Sequence, residues 1–429
     1  MHKSVSKVLS IALALALWPA LGKSELVIDI TGGAEVAVPI AVVPFGWAGS
    51  GSPPEDIGAI ITNNLARSGQ FDLLPQADFI ERPTRREQVS YGNWRALGVD
   101  HLIIGDVEQD GDRYRVSFQL LDVFTGSSMT GRRYNASPGD LRTAAHVISD
   151  EIHEEILGRP GAFNTRIAYV AISDESEGRR WRLVFADADG HLPESILTSR
   201  EPIMSPAWSP DGRQLAYVSF EGRRSEIFIQ EIATGERERV ASFEGINSAP
   251  AWSPDGDRLA ITRSRGGQTD IHVLDIRSGD TRQVTDHPAI DTEPVWTADG
   301  RHIIFTSDRA GGPQIYRISA DGGEARRLTY EGNYNASPAL SPDGQSLAMV
   351  HRGDNGFVIA VQDLEGRDFR TLTRGPQDES PSFAPNGALV LYATRENGRH
   401  VLGTASLFGE RRQTMSTQGQ RIREPAWSP

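Results

Sequence analysis

The residues of this sequence that could do chemistry are few, and they stand apart from one another. His153-Glu154 forms the first half of the zinc motif H-E-x-x-H, but the second histidine is missing. The solvated face of an amphipathic helix is a simpler interpretation of this pair. Asp187-x-Asp189-Gly190 and Asp110-Gly111-Asp112 faintly resemble calcium-binding loops. Both fall at predicted hairpin turns, so we predict no catalytic residue, metal ligand or cofactor at these places.

The motifs of the common enzyme classes are missing as well. The sequence has no G-x-S-x-G nucleophile elbow, no phosphate-binding P-loop and no G-x-G-x-x-G after a strand. It has no cysteine, which excludes disulfides, thiolate metal ligands and a cysteine nucleophile. The net charge of −13 disfavours nucleic acid and anionic lipid as partners. We therefore predict a protein that is not an enzyme.

A motif that returns every 43 or 44 residues organises the second half of the chain. It reads PAWSPDG in its first two copies and recurs after them in variant or partial form. The copies begin at Pro206, Pro250, Pro294, Pro338, Pro381 and Pro425. A fixed period of this length indicates a repeat architecture, which decides the fold before any single element is considered.

Each repeat has the composition of four short strands. In the first copy Trp208 lies in one strand, Ser209-Pro210-Asp211-Gly212 has the residues of a tight turn, and Leu215 belongs to a second β-rich run. The rest of the repeat, from Ser225, reads as strand, glycine-containing turn and strand. Four strands with their turns make one propeller blade. The recurring tryptophans are expected in the core between blades.

The two ends of the repeat region complement each other. The last copy, Pro425–Pro429, has a first strand but no turn and no second strand. Upstream, Arg166–Ala171 matches the second strand of a repeat but has no first strand before it. We therefore predict a six-bladed ring in which the C-terminal strand completes the first blade. An open solenoid would need polar capping repeats instead.

Two segments precede the folded body. Residues 1–22 have the basic start, the apolar run Leu9–Leu17 and the small residues of a secretory signal peptide, with cleavage near Gly22. The apolar run is too short to span a membrane comfortably, so we expect an exported protein that does not insert into the membrane. Residues 23–35 are either the first strand of the next domain or a detachable arm.

Residues 36–160 have the pattern of a small α/β domain, and residues 161–429 are assigned to the propeller. An apolar run over 36–44 predicts a buried strand, and Ser52-Pro53-Pro54-Glu55 predicts a capping box that starts a helix ending at Gly69. Three antiparallel strands and a last helix from Ser137-Pro138 follow. The predicted fold class is mainly β, a six-bladed β-propeller preceded by a small α/β domain.

The whole chain resembles the TolB family, the periplasmic propeller proteins of the Tol–Pal envelope system. The repeats and the terminal PAWSP carry part of the resemblance. The other matching segments are ELVIDI at Glu25–Ile30, VVPFGWAG at Val42–Gly49, PEDIG at Pro54–Gly58, GAFNTRIAYV at Gly161–Val170 and TEPVW at Thr292–Trp296. Departures from the pattern are Leu340 in place of the blade aromatic and Asn386 in place of aspartate.

The resemblance implies a monomeric, non-enzymatic adaptor in the periplasm. It implies that the propeller binds the lipoprotein Pal and that the segment after the signal peptide binds TolA, for outer-membrane integrity and for constriction during cell division. The TolA-binding residues would be Glu25, Leu26, Val27, Ile28, Asp29 and Ile30. Family behaviour also implies that this segment is docked or released according to Pal occupancy, which is a population shift.

The connections between blades identify the face on which Pal would bind. If the strands of a blade are A to D from the channel outwards, the A–B and C–D turns are tight and structural, whereas the D–A and B–C connections vary. We predict that Pal sits over the channel mouth on the variable side, with Ala249 and Thr292 near the centre. The candidate contacts are Ile246, Asn247, Ser248, Ala249, Asp291, Thr292, Glu293, Asn335, Asp378 and Glu379. Alternatively, these loops only close the blades.

The rival class is a propeller enzyme, or a propeller that binds a small ligand or cation in its channel. Asp291, Glu293, Asp378 and Glu379 lie near strand starts and could hold a weakly bound calcium ion. Calcium would then stabilise the folded protein by mass action, whereas an adaptor needs no cofactor.

Overall fold

The computed structural model describes residues 37–408, 412–415 and 420–429. The predicted signal peptide and the arm, with its candidate TolA-binding residues, lie outside the described residues. Between Val38 and Leu157 a mixed sheet in the order β3-β1-β4-β5-β6, with β2 beside β4, packs against helices. Its strands are β1 (Val38–Val42), β2 (Gly46–Ala48), β3 (Phe71–Leu73), β4 (His101–Asp110), β5 (Arg113–Asp122) and β6 (Ser128–Ala136). Its helices are α1 (Ile57–Ser68), α2 (Tyr91–Ala96) and α3 (Leu141–Leu157), and short 3₁₀ turns occupy Gln76–Asp78, Arg86–Gln88 and Pro138–Asp140.

Helix α1 begins later than the sequence predicted. The capping box at Ser52 is wrong, because Asp56 is the N-cap and its carboxylate accepts a hydrogen bond from Ala59 N at 3.0 Å. Glu55 instead lies 3.6 Å from the Arg142 guanidinium of α3. The end is as predicted, because Gly69 has φ of 72° and closes the helix in the left-handed region.

Helices α1 and α3 cover one face of the small sheet, where Ile61, Leu65 and Ile148 are fully buried with Ile103 and Phe118 of the strands. Part of the other face is covered by α2 and the segment before it, through the buried Trp94. No helix of the described residues is long and apolar enough to span a membrane.

The described residues from Arg166 onwards form six four-stranded sheets, which confirms the predicted fold class. Blade 1 consists of β30 (Arg421–Trp427), β7 (Arg166–Glu175), β8 (Gly178–Asp187) and β9 (Glu194–Ser199). Blade 2 consists of β10 (Ile203–Trp208), β11 (Gln214–Ser219), β12 (Glu226–Glu231) and β13 (Arg237–Ala241). Blade 3 consists of β14 (Asn247–Trp252), β15 (Arg258–Arg265), β16 (Gln268–Asp275) and β17 (Thr281–Gln283).

The remaining blades follow the same order from the channel outwards. Blade 4 consists of β18 (Asp291–Trp296), β19 (His302–Ser307), β20 (Gln314–Ser319) and β21 (Arg326–Arg327). Blade 5 consists of β22 (Asn335–Leu340), β23 (Ser346–Gly353), β24 (Gly356–Asp363) and β25 (Phe369–Thr371). Blade 6 consists of β26 (Glu379–Phe383), β27 (Leu389–Glu396), β28 (Arg399–Ser406) and β29 (Arg412–Met415).

The last strand of the chain closes the ring beside the first strand of the propeller. Strand β30 pairs antiparallel with β7, and Trp427 lies opposite Ile167. The Trp427 indole donates to Thr165 Oγ1 at 2.8 Å, and Ser428 N donates to the Arg166 carbonyl at 2.8 Å. The two ends of the propeller sequence are thus joined by side-chain and backbone hydrogen bonds.

Tryptophans of the repeat join neighbouring blades. Trp208 donates its indole N–H to the Ala426 carbonyl at 3.1 Å, and Trp252 and Trp296 make the equivalent bond to the preceding blade. The repeated turns are closed by their own side chains. In the first of them, Ser209 Oγ donates to Asp211 at 2.6 Å, and the Asp211 carboxylate accepts from Arg213 N.

Candidate functional site: the channel face of the propeller

A cavity of about 880 Å³ opens at the end of the ring that carries the D–A and B–C connections. We call this end the channel face and the opposite end the turn face. Six of the predicted Pal-face residues line the cavity: Ser248, Ala249, Thr292, Glu293, Asp378 and Glu379. Ile246, Asn247, Asp291 and Asn335 are not among its lining residues. The inner strands of all six blades contribute to its wall.

A ring of six strained residues surrounds this cavity, one on each inner strand. Each is a non-glycine residue with φ between 47° and 55°, directly before the proline of the repeat. They are Ser205, Ala249, Glu293, Ser337, Ser380 and Glu424. The pairing register of each inner strand shifts at this point. A left-handed conformation costs a residue with a side chain about 1–2 kcal/mol, and such strain is concentrated at functional sites.

Two members of the ring are glutamates on opposite blades, and each binds the next blade. Glu293 of blade 4 accepts from Ser337 N at 2.8 Å and from Ser337 Oγ at 2.7 Å, and it also accepts from Thr306 Oγ1. Glu424 of blade 1 accepts a hydrogen bond from Ser205 N of blade 2. Burial raises the pKa of Glu424 above its usual range. The two carboxylates therefore tie neighbouring inner strands together.

The other carboxylates considered for a channel cation also have partners. Asp291 is fully buried, and Arg309 Nη2 lies 3.0 and 2.8 Å from its two oxygens. Asp378 accepts from Thr394 Oγ1 at 2.5 Å, and Glu379 pairs with Arg423 at 2.9 Å. Among the described residues, these carboxylates do not gather into a group of three with ligand spacing. Their present role is to hold the loops and inner strands.

Four of the predicted Pal contacts are buried rather than exposed. These are Asn247, Asp291, Asn335 and Asp378, each at most 1% exposed. Asn247 donates its amide to the Phe243 carbonyl at 2.7 Å, and Asn335 donates to the Glu331 carbonyl at 2.8 Å. In this conformation these buried side chains hold the D–A connections in place. A protein that docks on the channel face would contact the exposed residues beside them.

Sequence reasoning missed most of an apolar rim on the channel face. Met204, Ile246, Ile290 and Phe357 are 37–55% exposed, and only Ile246 was predicted as a contact. Ile246 and Ile290 occupy the same place in successive D–A connections, directly before the buried Asn247 and Asp291. This pairing of an exposed apolar residue with a buried polar one is the signal that could have identified Ile290.

A second polar cluster lies where the small domain meets blade 1. Arg142 of α3 binds Asp189 of the β8–β9 connection through a hydrogen-bonded ion pair, and its guanidinium lies 3.7 Å from Asp187. His146 Nε2 is 3.9 Å from both carboxylates. The predicted turn at Asp187–Gly190 is present, with Gly190 N bonded to the Asp187 carbonyl at 2.8 Å. The aspartates thus join the propeller to α3.

The groups around His146 argue against a metal ion, although its ring and the two aspartates lie close enough to form a ligand set. Asn64 donates its amide to His146 Nδ1 at 2.9 Å, and its oxygen accepts from Arg67 at 3.2 Å. A metal-bound histidine donates from its second nitrogen, which the Asn64 amide prevents here. Nε2 therefore keeps the proton, and burial lowers the pKa of His146 to about 4.

The predicted solvated face at His153-Glu154 is wrong for the histidine. His153 is fully buried, with Nδ1 at 2.9 Å from the Arg159 carbonyl and Nε2 at 2.9 Å from Gln70 Oε1. Glu154 is exposed. The histidine side of α3 is covered by the connection to the propeller, which the helix pattern alone did not show.

Comparison with known proteins decides the family. A model described as the TolB beta propeller domain matches residues 153–429, and one described as the TolB amino-terminal domain matches residues 26–129. The chain belongs to the TolB family. The Tol-Pal system protein TolB of Thioalkalivibrio sulfidiphilus is 63% identical over 98% of this chain and 97% of its own length. That of Alkalilimnicola ehrlichii is 56% identical over the full length of both.

A solved structure supports the same assignment. The crystal structure of TolB from Acinetobacter baumannii matches with a TM-score of 0.85 and 39% identity, covering 92% of this chain and 97% of that one. The resemblance seen in the sequence is confirmed. As a TolB-family protein the chain is a component of the Tol–Pal envelope system, and it is not an enzyme.

Proposed function

We propose that this protein is a periplasmic adaptor that binds Pal with its channel face and TolA with the segment Glu25–Ile30. The observation that carries the Pal half is the apolar rim above a ring of strained, well-supported inner strands. This adaptor would serve outer-membrane integrity and constriction during division. Cleavage near Gly22 would release a monomer into the periplasm, which N-terminal sequencing and the solution mass of the exported protein would test.

The composition of the rim suits a protein partner. Methionine, aromatic residues and arginine are enriched at protein–protein interfaces. The channel face offers Met204, Phe357 and the exposed pair Arg421 and Arg423 around one opening. The inner strands behind them are fixed by cross-blade bonds, so that little ordering would be needed on binding.

The proposed face can be tested with matched charge substitutions. We expect Ile290→Lys and Thr292→Lys to weaken Pal binding by about tenfold or more, because each puts a long charged side chain in place of an uncharged one on the proposed contact surface. Arg301→Glu on the turn face is the control, since that side chain is exposed and lies far from the channel mouth. Calorimetric titration with purified Pal measures the effect, and melting curves verify that all variants fold.

Normal Pal binding by both channel-face variants, together with loss of binding in Arg301→Glu, would place Pal on the opposite face. Reduced binding in all three variants with lowered melting temperatures would show damage to the fold rather than to an interface.

The TolA half is supported by the match of Glu25–Ile30 to the family segment, which lies outside the described residues. We expect a protein that lacks residues 23–33 to lose TolA binding and to keep Pal binding. TolA pull-down with the truncated and the full exported protein separates these outcomes. Retained TolA binding by the truncated protein would contradict the assignment of TolA binding to Glu25–Ile30.

The channel should need no cofactor, because its four candidate carboxylates are engaged with side chains or amides. Adding calcium at millimolar concentration should leave the melting temperature unchanged. A ligand that binds the folded state at about 100 times its dissociation constant stabilises it by about 2.7 kcal/mol, so a calcium site would be visible as a rise in melting temperature.

A further inference from the structure

The boundary between blades 4 and 5 holds an open cavity of about 750 Å³ on the turn face. Its volume falls in the range of ligand sites, about 300–1,000 Å³. We propose that it binds a peptide segment that carries an aromatic side chain next to acidic residues. This inference does not depend on Pal or TolA binding, because it concerns the end of the ring opposite the channel face.

The cavity lies where other blade boundaries hold an indole ring. Trp208, Trp252 and Trp296 each donate to a backbone carbonyl of the preceding blade, at 3.0–3.1 Å. In blade 5 the corresponding residue of the repeat is Leu340. The carbonyl that an indole of blade 5 would reach is that of Val295. Within the described residues no side chain donates a hydrogen bond to it.

The pairing registers show that the surroundings of the missing ring form the cavity wall. Trp296 belongs to a buried cluster with Ala260, Val273 and Val284 of blade 3. The residues of blade 4 at the same register positions are Ile304, Arg317 and Leu328. All three line the cavity beside Leu340. Ile304 and Arg317 are larger than their counterparts, but they do not close the space.

The repeated turn is also altered at this boundary. A methyl group added to Gly300 would lie 3.7 Å from Pro254 of the preceding blade, and one on Gly387 would lie 3.8 Å from Pro342. At the boundary of blades 4 and 5 the proline position is Ala298, and a methyl group on Gly344 would meet no atom within 4 Å. Two independent departures from the repeat therefore open the same boundary.

The charge of the lining favours an anionic occupant. Four arginines that form no ion pair within the described part of the chain line it: Arg317, Arg326, Arg327 and Arg367. Three carboxylates, those of Asp299, Glu324 and Asp343, also line it, so the net charge of the lining is +1. Asp299 and Asp343 stay charged, but each is held by a hydroxyl and an amide of its own turn, whereas no carboxylate of the described residues holds the arginines. This local excess of positive charge contrasts with the chain's net charge of −13.

An exposed aromatic residue marks the entrance. Tyr330 is 66% exposed, and the Arg327 guanidinium lies 5.0 Å from its ring centroid. Tyrosine and arginine are the residues that most often dominate binding energy in interfaces. An extended segment could insert its aromatic side chain beside Leu340 and place flanking carboxylates against the arginines. At other blade boundaries, an indole carried by an extended strand already occupies the equivalent space between two blades. A bound peptide would place its aromatic ring in the same way.

The test uses the exported protein, residues 23–429, and three N-acetylated tripeptide amides. Glu-Trp-Glu should bind, whereas Lys-Trp-Lys and Glu-Leu-Glu should bind about tenfold or more weakly, because one lacks the charge and the other lacks the ring. Leu340→Trp should abolish binding, since its own indole fills the space. Phe383→Trp at the boundary of blades 5 and 6 is the matched control and should bind Glu-Trp-Glu like the wild type.

The double variant Arg326→Glu/Arg367→Glu tests the charge independently of the cavity. Both side chains are exposed, so we expect the variant to fold. Its affinity for Glu-Trp-Glu should fall by about tenfold or more. This variant decides the question if Leu340→Trp fails to fold. Absence of Glu-Trp-Glu binding at about 1 mM, equal binding of Glu-Leu-Glu, or wild-type affinity in the folded Leu340→Trp protein would each overturn the proposal.

Discussion

Removal of residues 425–429 should open the propeller, because these residues complete the inner strand of blade 1. The deletion removes Trp427, which is 6% exposed, and the pairing of Ala426 and Trp427 with β7. It also removes the hydrogen bonds that Ser428 forms with the backbone of Arg166, at 2.8 and 3.0 Å.

The magnitude follows from what is buried. Replacing a buried tryptophan by alanine typically costs about 3–5 kcal/mol. The two Ser428 bonds and the bond from the Trp427 indole to Thr165 contribute about 1 kcal/mol each. The total, about 6–8 kcal/mol, is comparable to the stability of a whole domain, about 5–15 kcal/mol. The truncated propeller should therefore melt far below the intact one or fail to fold.

Calorimetry of three proteins measures this effect. The deletion of residues 425–429 is compared with Trp427→Ala, which removes the ring and its bond to Thr165 and should account for about 4–6 kcal/mol of the loss. Deletion of Pro429 alone is the control, because that residue is exposed and should change stability little. Melting temperatures of the truncated and intact proteins that agree within error would refute closure by the C-terminal strand.

Three further predictions concern buried polar groups and strain. Because the pKa of His146 is about 4 in the folded state and about 6.5 in the unfolded state, the stability it supports is present above pH 6.5 and is lost as the pH falls toward 4. Urea unfolding at pH 7.0, 5.5 and 4.5 should show this fall, and His146→Gln should lessen it; an unchanged slope in the variant would contradict the assignment. Ala249→Gly should match or exceed wild-type stability, while Ala249→Val should lower the free energy of unfolding by about 1–3 kcal/mol, because only glycine adopts its φ of 47° without strain. Arg309→Met should cost about 3–5 kcal/mol by leaving Asp291 buried and unpaired, and the added change Asp291→Asn should restore part of the loss; no recovery would show that the pair is not the cause.

The propeller could be predicted because its signal is local and repeated. Most copies place a proline, an aromatic residue and an Asp-Gly turn at the same spacing, and those residues act on the strands that contain them. Closure could be predicted for the same reason, since Pro425–Pro429 and Arg166–Ala171 are two halves of one pattern. The start of α1 could not be predicted as reliably, because Ser52 and Asp56 both have side chains that cap helices.

Burial of polar loop residues was harder to foresee. Asn247 and Asp291 look like exposed loop residues in the sequence, yet each is fully buried. Asn247 donates to the backbone carbonyls of Phe243 and Gly245, which come within reach only when the loop folds back on itself. Asp291 pairs with Arg309, which lies 18 residues further along the chain. The network around His146 is a stronger case, because it joins α1, α3 and the β8–β9 connection, which are far apart in the chain. Such contacts exist only after the domains have packed.

Departures from a repeat carry information that single sequences usually lack, since the other copies serve as internal controls. Taken alone, Leu340 in place of tryptophan and Ala298 in place of proline would each look like ordinary variation between copies of the repeat. The registers of β18, β19 and β22 bring both to one boundary between blades. A boundary that lacks both the indole bond and the proline contact has been left open, and the arginines that line the space form no ion pair with the residues that the structure describes. In the folded ring, Leu340 therefore marks the boundary where the cavity opens, which its place in the sequence alone does not show.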